Sequence, residues 1–330
     1  MKESTCLGIE STAHTFGVGI ITDKGKVLAN ASDSFKTKKG GLIPVELGKH
    51  HEKVKDKVLQ DALAQSKLEL KDIDLIAFSQ GPGIPFPLRV GMKFAKKISS
   101  KYKIPIVGVN HCVAHLEIGK VLTKAKDPVL LYVSGANTQI IAYESGKYRI
   151  FGETLDQGIG NFIDAFARYI GLGFPGGPKI EILAAKGKNY IELPYVVKGM
   201  DISFSGILTN LKVKYDSKNY SIGDLSYSLQ ETVFAMLTEV SERAMAHTGK
   251  KELVLGGGVA CNKRLQEMCK IMCKERNAKL FVPKNEFLVD NGVQIGWLGI
   301  LQRKGTTKNL KKIDISPYER TDDIKVTWAY

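Results

Sequence analysis

A chain of 330 residues with 43% hydrophobic content can bury one large or two medium cores, which excludes a disordered or fibrous protein. No stretch reaches the roughly 18 uninterrupted apolar residues of a membrane span, and Met1-Lys2-Glu3 runs into a strand without a leader's apolar segment, so a cytoplasmic protein with no membrane partner is expected. Lysine and arginine outnumber acidic residues 48 to 34, a net +14, which suits a polyanionic partner held by phosphate neutralisation without identifying it as RNA.

Residues 6–30 read as two strands around Glu10-Ser11-Thr12-Ala13-His14-Thr15, a tight turn at Asp23-Lys24-Gly25-Lys26 and a third strand, with a helix to follow. Residues 74–79 form a strand running into Gly81-Pro82-Gly83 and a helix. A further strand, 104–109, ends at Asn110-His111. The plan then repeats: strand 129–133, a small polar turn from Ser134 to Thr138, strand 139–143, a turn at Ser145-Gly146-Lys147 and a third strand. Strand 252–255 runs into Gly256-Gly257-Gly258 and a helix, and strand 279–282 precedes Asp290-Asn291-Gly292. Two such halves predict an α/β protein with the duplicated RNase-H-like, two-lobed fold of actin, sugar kinases and heat-shock ATPases, with its ligand in the central cleft. The expected division is an N-terminal lobe over 1–127, a C-terminal lobe over 128–315 and a tail over 316–330.

His111 and His115 stand one helical turn apart, with Cβ atoms roughly 6 Å from each other, which suits two ligands of one ion and equally two hydrogen-bonded core histidines. The zinc-protease pattern needs glutamate after the first histidine, but Cys112 is there, so peptidase chemistry is disfavoured. The five cysteines are odd in number and contain no CxxC pair, as in a reducing compartment; Cys269 and Cys273 are either a soft metal pair or small buried helix residues. Gly256-Gly257-Gly258 and the second glycine-rich turn from Gly173 to Lys179, opening a helix that displays Glu181, allow close backbone approach to a flat or anionic ligand. No Walker loop, dinucleotide fingerprint or protein-kinase catalytic loop is present. An actin-like ATPase or small-molecule kinase, and a non-catalytic nucleic-acid-binding subunit, are therefore the rival functional classes.

Taken in order, Gly41-Leu42-Ile43-Pro44 with His50-His51, Gly81-Pro82-Gly83 with Leu88-Arg89-Val90-Gly91, Asn110-His111 through His115, Tyr132-Val133-Ser134-Gly135, Gly176-Gly177-Pro178, Ser203-Phe204-Ser205-Gly206, Gly256-Gly257-Gly258-Val259-Ala260 and Asp290-Asn291-Gly292 resemble the TsaD family over nearly the whole chain. The closing Arg320-Thr321-Asp322 and Val326-Thr327-Trp328 resemble the tail of its archaeal and eukaryotic form, the catalytic subunit type of the KEOPS complex.

The resemblance implies transfer of threonylcarbamoyl from threonylcarbamoyl-AMP to N6 of the adenosine 3′ to the anticodon in tRNAs reading ANN codons. It implies one metal ion per chain, iron ahead of zinc, on His111, His115, Tyr132 and Asp290, with no protein nucleophile. It places the adenylate against Tyr132, Val133, Ser134, Gly135, Ala136, Asp164, Gly177, Glu181 and Asn262, the carboxylates suiting ribose hydroxyls and Asn262 an adenine edge. The implied partners are tRNA, a separate threonylcarbamoyl-AMP synthase, and KEOPS subunits including a small kinase-like ATPase, which in fused forms would follow Tyr330. Without the resemblance, Asp164 reads as an exposed helix residue. Ala136, Val289, Gln294 and Trp297 depart from the family pattern, and Val289 is expected to stiffen or shift the Asp290 loop. Lys36, Lys38 and Lys39 are candidates for gripping tRNA.

Overall fold

The computed structural model describes residues 3–37 and 42–328. Lys38, Lys39 and Gly41, named above, lie outside them. The first half contains β1 (Thr5–Glu10), β2 (Thr15–Thr22), β3 (Val27–Ser34), helix α1 (Pro44–Ser66), β4 (Leu75–Gly81), α2 (Pro85–Tyr102), β5 (Ile106–Asn110) and α3 (His111–Thr123). Its strands form one sheet in the order β3-β2-β1-β4-β5, with β1–β2 and β2–β3 antiparallel and β1–β4 and β4–β5 parallel.

The second half begins with β6 (Val129–Val133), β7 (Thr138–Glu144) and β8 (Lys147–Glu153). After α4 (Ile159–Tyr169), α5 (Gly177–Ala184), a short ribbon of β9 (Val197–Lys198) and β10 (Asp201–Ile202), α6 (Ser205–Asp216) and the long α7 (Ile222–Thr248) come β11 (Glu252–Gly256), α8 (Lys263–Glu275), β12 (Lys279–Phe281), α9 (Asn285–Leu288) and α10 (Gly292–Leu301). The sheet order β12-β11-β6-β7-β8 is the first sheet's order with the same pattern of parallel and antiparallel neighbours. The duplication expected from the sequence is therefore present as topology: a two-lobed α/β protein.

Every residue of β1 and β2 is buried, as in a sheet covered on both faces. One cover is α1 and α2. The other is α10, a helix of the second half. The glycines explain the exchange: a Cβ on Gly8 would fall on Gly292 O and Gly296 N, and one on Gly19 would fall on the Val293 backbone, so helix and strands meet backbone to backbone. Conversely α3, from the first half, packs its Val113 and Leu116 among Leu130, Tyr132 and Val254 of the second sheet. The two helices cross between the lobes and touch each other. Gly8→Ala is expected to overpack this contact, lowering stability by about 1–3 kcal/mol in urea unfolding; an unchanged midpoint would show that α10 is free to lift from β1.

The tail beyond α10 runs along both open sheet edges. Thr307 pairs with Ile106 on β5, and Lys325 bridges Lys147 on β8. Cys269 and Cys273 settle as buried core residues of α8, their thiols pushed up by burial to about 12 and about 11. They supply no metal site: among the described residues the one cluster of three or more potential ligating groups is His111, His115 and Asp290. No helix among the described residues is long and apolar enough to cross a membrane.

Candidate metal centre and adenylate cleft

The centre is assembled from three separate places in the chain. β5 ends at Asn110, whose side-chain carbonyl accepts the Val113 N–H at 3.1 Å and so caps α3, putting His111 and His115 on its first turns. Tyr132, near the end of β6, lies opposite Gly256 of β11. Asp290 lies one residue before Asn291, which caps α10 by accepting the Gln294 N–H at 3.0 Å. The exchange of α3 and α10 between lobes brings these pieces together.

His111 Nε2 lies 3.1 Å from the Tyr132 hydroxyl and 3.4 Å from Asp290 Oδ1, and His115 Nε2 lies 3.3 Å from the same Asp290 oxygen. Donors sharing one tetrahedral ion at bond lengths of about 2.0–2.1 Å would stand roughly 3.4 Å apart. These three contacts are close to that spacing, the ligand atoms of His111, His115 and Asp290 all lie within 4.8 Å of one another, and the imidazole, phenol and carboxylate mix suits iron or zinc. All of it is buried except for partial exposure at Asp290.

Electrostatics follow from that burial. Burial opposes a charge on His111, yet the oxygens of Tyr132, Glu10 and Asp290 hold its pKa well above the imidazole range. Burial also opposes ionised Asp290, but His111 and His115 hold it well below the usual carboxylate range. His115 is pushed down and the Tyr132 phenol pushed up, both chiefly by burial. A cation here would replace the proton on His111, so loading would release protons.

Three further side chains support the centre. Glu10, fully buried at the end of β1, receives His111 Nδ1 at 2.8 Å through one oxygen and the Thr12 N–H and hydroxyl, each at 2.6 Å, through the other. It fixes the ring so that Nε2 faces the centre. Gln294, which in sequence is only a departure from the family pattern, has its amide nitrogen 3.2 Å from His115 Nε2. Asn110 stands beside His111 in the motif, and as an asparagine before a helical run it carries the ordinary start signal for the cap that it forms. The available signal for Glu10 is a carboxylate ending an otherwise apolar strand.

Next to this centre, at the carboxyl ends of β6 and β11, several turns converge. Gly256 places its backbone beside both His115 and Tyr132, where a Cβ would lie 3.7 Å from each side chain. Gly257 adopts φ +92°, and a Cβ there would strike Val133 O. Ser134 O accepts the Gly160 N–H at 3.0 Å and Gly135 O the Asn161 N–H at 2.9 Å, tying the 134–136 turn to the start of α4. Ala136 is not among the residues with positive φ, so its methyl is tolerated where glycine is expected.

Asp164 is half-buried, contrary to its exposed reading: its Oδ1 accepts the Gly176 N–H at 2.7 Å, and burial raises its pKa. Gly177 opens α5, and Glu181 on that helix accepts the Lys263 N–H at 2.9 Å. Asn262 caps α8 through the Arg264 and Leu265 N–H groups and donates to Gln230 at 2.9 Å, so both ends of its amide are engaged within the protein. With Val289 before it, Asp290 stands within reach of both imidazoles. Two grooves, of about 580 and 530 Å³, lie elsewhere, one beside β3 and the start of α9, the other at the end of α1.

His51, part of the family motifs, is buried against Phe16, and burial lowers its pKa to about 3, with His50 and His14 adding to the effect. Of the lysines, Lys36, Lys93, Lys97 and Lys101 are exposed, whereas Lys96 is tied to the Ile313 carbonyl at 2.6 Å.

Fold and site define a two-lobed α/β protein with an interlobe metal-type centre beside a nucleotide-type cluster of turns. Residues 26–297 match the TsaD family, described as tRNA N6-adenosine threonylcarbamoyltransferase. The chain is 56% identical to the tRNA N6-adenosine threonylcarbamoyltransferase of Thermococcus sibiricus over 98% of this chain and 99% of that one. It is 52% identical to a probable bifunctional tRNA threonylcarbamoyladenosine biosynthesis protein of Methanocaldococcus jannaschii, covering 98% of this chain and 60% of that protein. The chain belongs to the TsaD family and is a transferase of tRNA. Among solved structures, HypF of T. kodakarensis superposes with TM-score 0.65 at 17% identity over 92% of this chain and 48% of that one, a likeness of fold alone.

Proposed function

We propose that the protein makes threonylcarbamoyladenosine in tRNA, taking threonylcarbamoyl-AMP from a separate synthase and modifying the adenosine 3′ to the anticodon in tRNAs reading ANN codons. The N6 amine attacks the carbamoyl carbonyl carbon, the new C–N bond forms, the C–O bond to the phosphate breaks, and AMP leaves with N6 giving up a proton. The observation that carries this reading is the meeting of His111, His115, Tyr132 and Asp290 through contacts of hydrogen-bond length, next to the 134–136 and 256–258 turns.

In this reading those four residues hold one ion, with iron ahead of zinc as the family resemblance implies. When bound, the ion supplies Lewis-acid polarisation of the carbonyl under attack. The chain's own residues do the rest. Ser134, Gly135 and Ala136 follow directly from the ligand Tyr132 through Val133, so the adenylate's leaving group and its reacting carbonyl are held by one rigid strand end. Asp164 and Glu181 receive ribose hydroxyls, and Gly177 and Asn262 line the cleft. Because N6 is a weak nucleophile, positioning by this rigid wall is a main source of rate. Exposed Lys93, Lys97 and Lys101 on α2 fit a phosphate-backbone contact, and the partners expected are KEOPS subunits with a small kinase-like ATPase, in the cytoplasm.

The test is transfer of labelled threonine to tRNA in the presence of bicarbonate, ATP, the synthase and partner subunits. Label reaching tRNA only when this chain is added supports the assignment; label reaching tRNA equally without it, or ATP turnover on a small acceptor in its place, overturns it.

A further inference from the structure

The tail joins the two lobes at a position that bears on the metal centre. Its first part is anchored to the first sheet: Ser316 N–H donates to Gln80 O at 2.8 Å, Gly83 N–H to Pro317 O at 3.1 Å, and Gln80 Nε2 to Asp314 O at 2.9 Å. Its last part is anchored to the second sheet and α3. Arg320 pairs with Glu153 at 3.2 Å, Val326 N–H donates to Gly146 O at 3.3 Å, and Trp328 Nε1 donates to Glu117 at 2.8 Å. Between these anchors, Glu319 Oε2 accepts the Asn110 Nδ2–H at 3.0 Å across 209 residues of sequence.

That bond has a particular consequence because Asn110 is the cap of α3 and is 1% exposed. Its carbonyl must face the Val113 N–H to cap the helix; the flipped amide would set donor against donor. The buried NH2 then needs an acceptor, and Glu319 provides it, so Glu319 both satisfies the amide and selects its orientation. The next residue is His111. We infer that Glu319 is a positioning residue for the metal centre, acting through the Asn110 cap to fix the first turn of α3 and the direction of the His111 ring. The inference rests on reading His111, His115, Tyr132 and Asp290 as a metal centre.

The experiment titrates full-length chain with Zn²⁺ against a chromophoric chelator. Glu319→Ala is expected to weaken Zn²⁺ binding about tenfold or more, as loss of an outer-shell partner does, while Glu319→Gln, which keeps an acceptor oxygen of the same reach, restores it to within about twofold. Glu319→Asp, one methylene short, behaves like alanine. Asn110→Ser combined with Glu319→Ala binds no more weakly than Asn110→Ser alone. Arg320→Ala, which loosens the tail without touching the cap, leaves affinity unchanged.

Wild-type affinity in Glu319→Ala overturns the inference, as does a Gln variant as weak as alanine, or additive losses in the double variant. If the alanine variant does not fold, the contrast between Gln and Asp decides in the same way. A wild-type chain that takes up no Zn²⁺, or keeps it after His111→Ala, instead sinks the metal reading itself.

Discussion

Alanine at His111 or at His115 is expected to reduce bound metal from about one ion per chain to below about a tenth of that, and to abolish transfer to tRNA, because three remaining donors around a preorganised centre hold an ion far less tightly than four. The two variants should differ in stability. His111 pairs with the fully buried Glu10 at 2.8 Å as well as with the partly exposed Asp290, so His111→Ala leaves a buried carboxylate without its imidazole, at a cost of about 3–5 kcal/mol. His115 is pushed towards neutrality by burial and leaves a smaller deficit. Elemental analysis reads the first effect and urea unfolding of the apo chain the second. Full metal content in both variants would remove the centre from the mechanism.

Glu10→Gln is expected to weaken metal binding by about 10–100-fold with little change in side-chain volume, the range for an outer-shell partner of a ligating histidine. The reason lies in the donors around it. One Glu10 oxygen receives His111 Nδ1, and the other receives both the N–H and the hydroxyl of Thr12. A glutamine can serve only one side. With its oxygen towards His111, its NH2 faces the Thr12 N–H; with its NH2 towards His111, the imidazole keeps its proton on Nε2, the atom that faces Tyr132 and Asp290. Chelator competition measures the loss, and transfer should fall in parallel. A Glu10→Gln chain that binds metal like wild type would show that the His111 ring is oriented without this carboxylate.

Much of the molecule is legible in its sequence. The 129–133 strand, the three-stranded openings and the glycine turns after residues 79 and 255 are local patterns of apolar residues and turn formers, and both lobes reproduce them. The His111 and His115 pair follows from helical spacing alone, but spacing leaves a metal site and a satisfied core equally open. Asp164 reads as exposed in sequence because its partner, the Gly176 N–H, lies in a turn beyond the end of its own helix. For Asn262 the resemblance implies an adenine edge as partner, and that expectation passes over its capping of α8, although an asparagine before a helical run is a familiar start signal.

By itself, the sequence determined the duplicated α/β plan, the turns that allow close backbone approach and the helical histidine pair, since each depends on residues within a few positions of one another. Only the tertiary structure decided which groups meet that pair. Asp290 reaches His115 across 175 residues because α10 lies directly on the glycine-faced strands of the first sheet while α3 lies on the second, and Glu10 reaches His111 across 101 because β1 and β5 are parallel strands ending on the same side of the first sheet. That exchange is a matter of backbone approach and shared burial between distant segments, and no local periodicity records it.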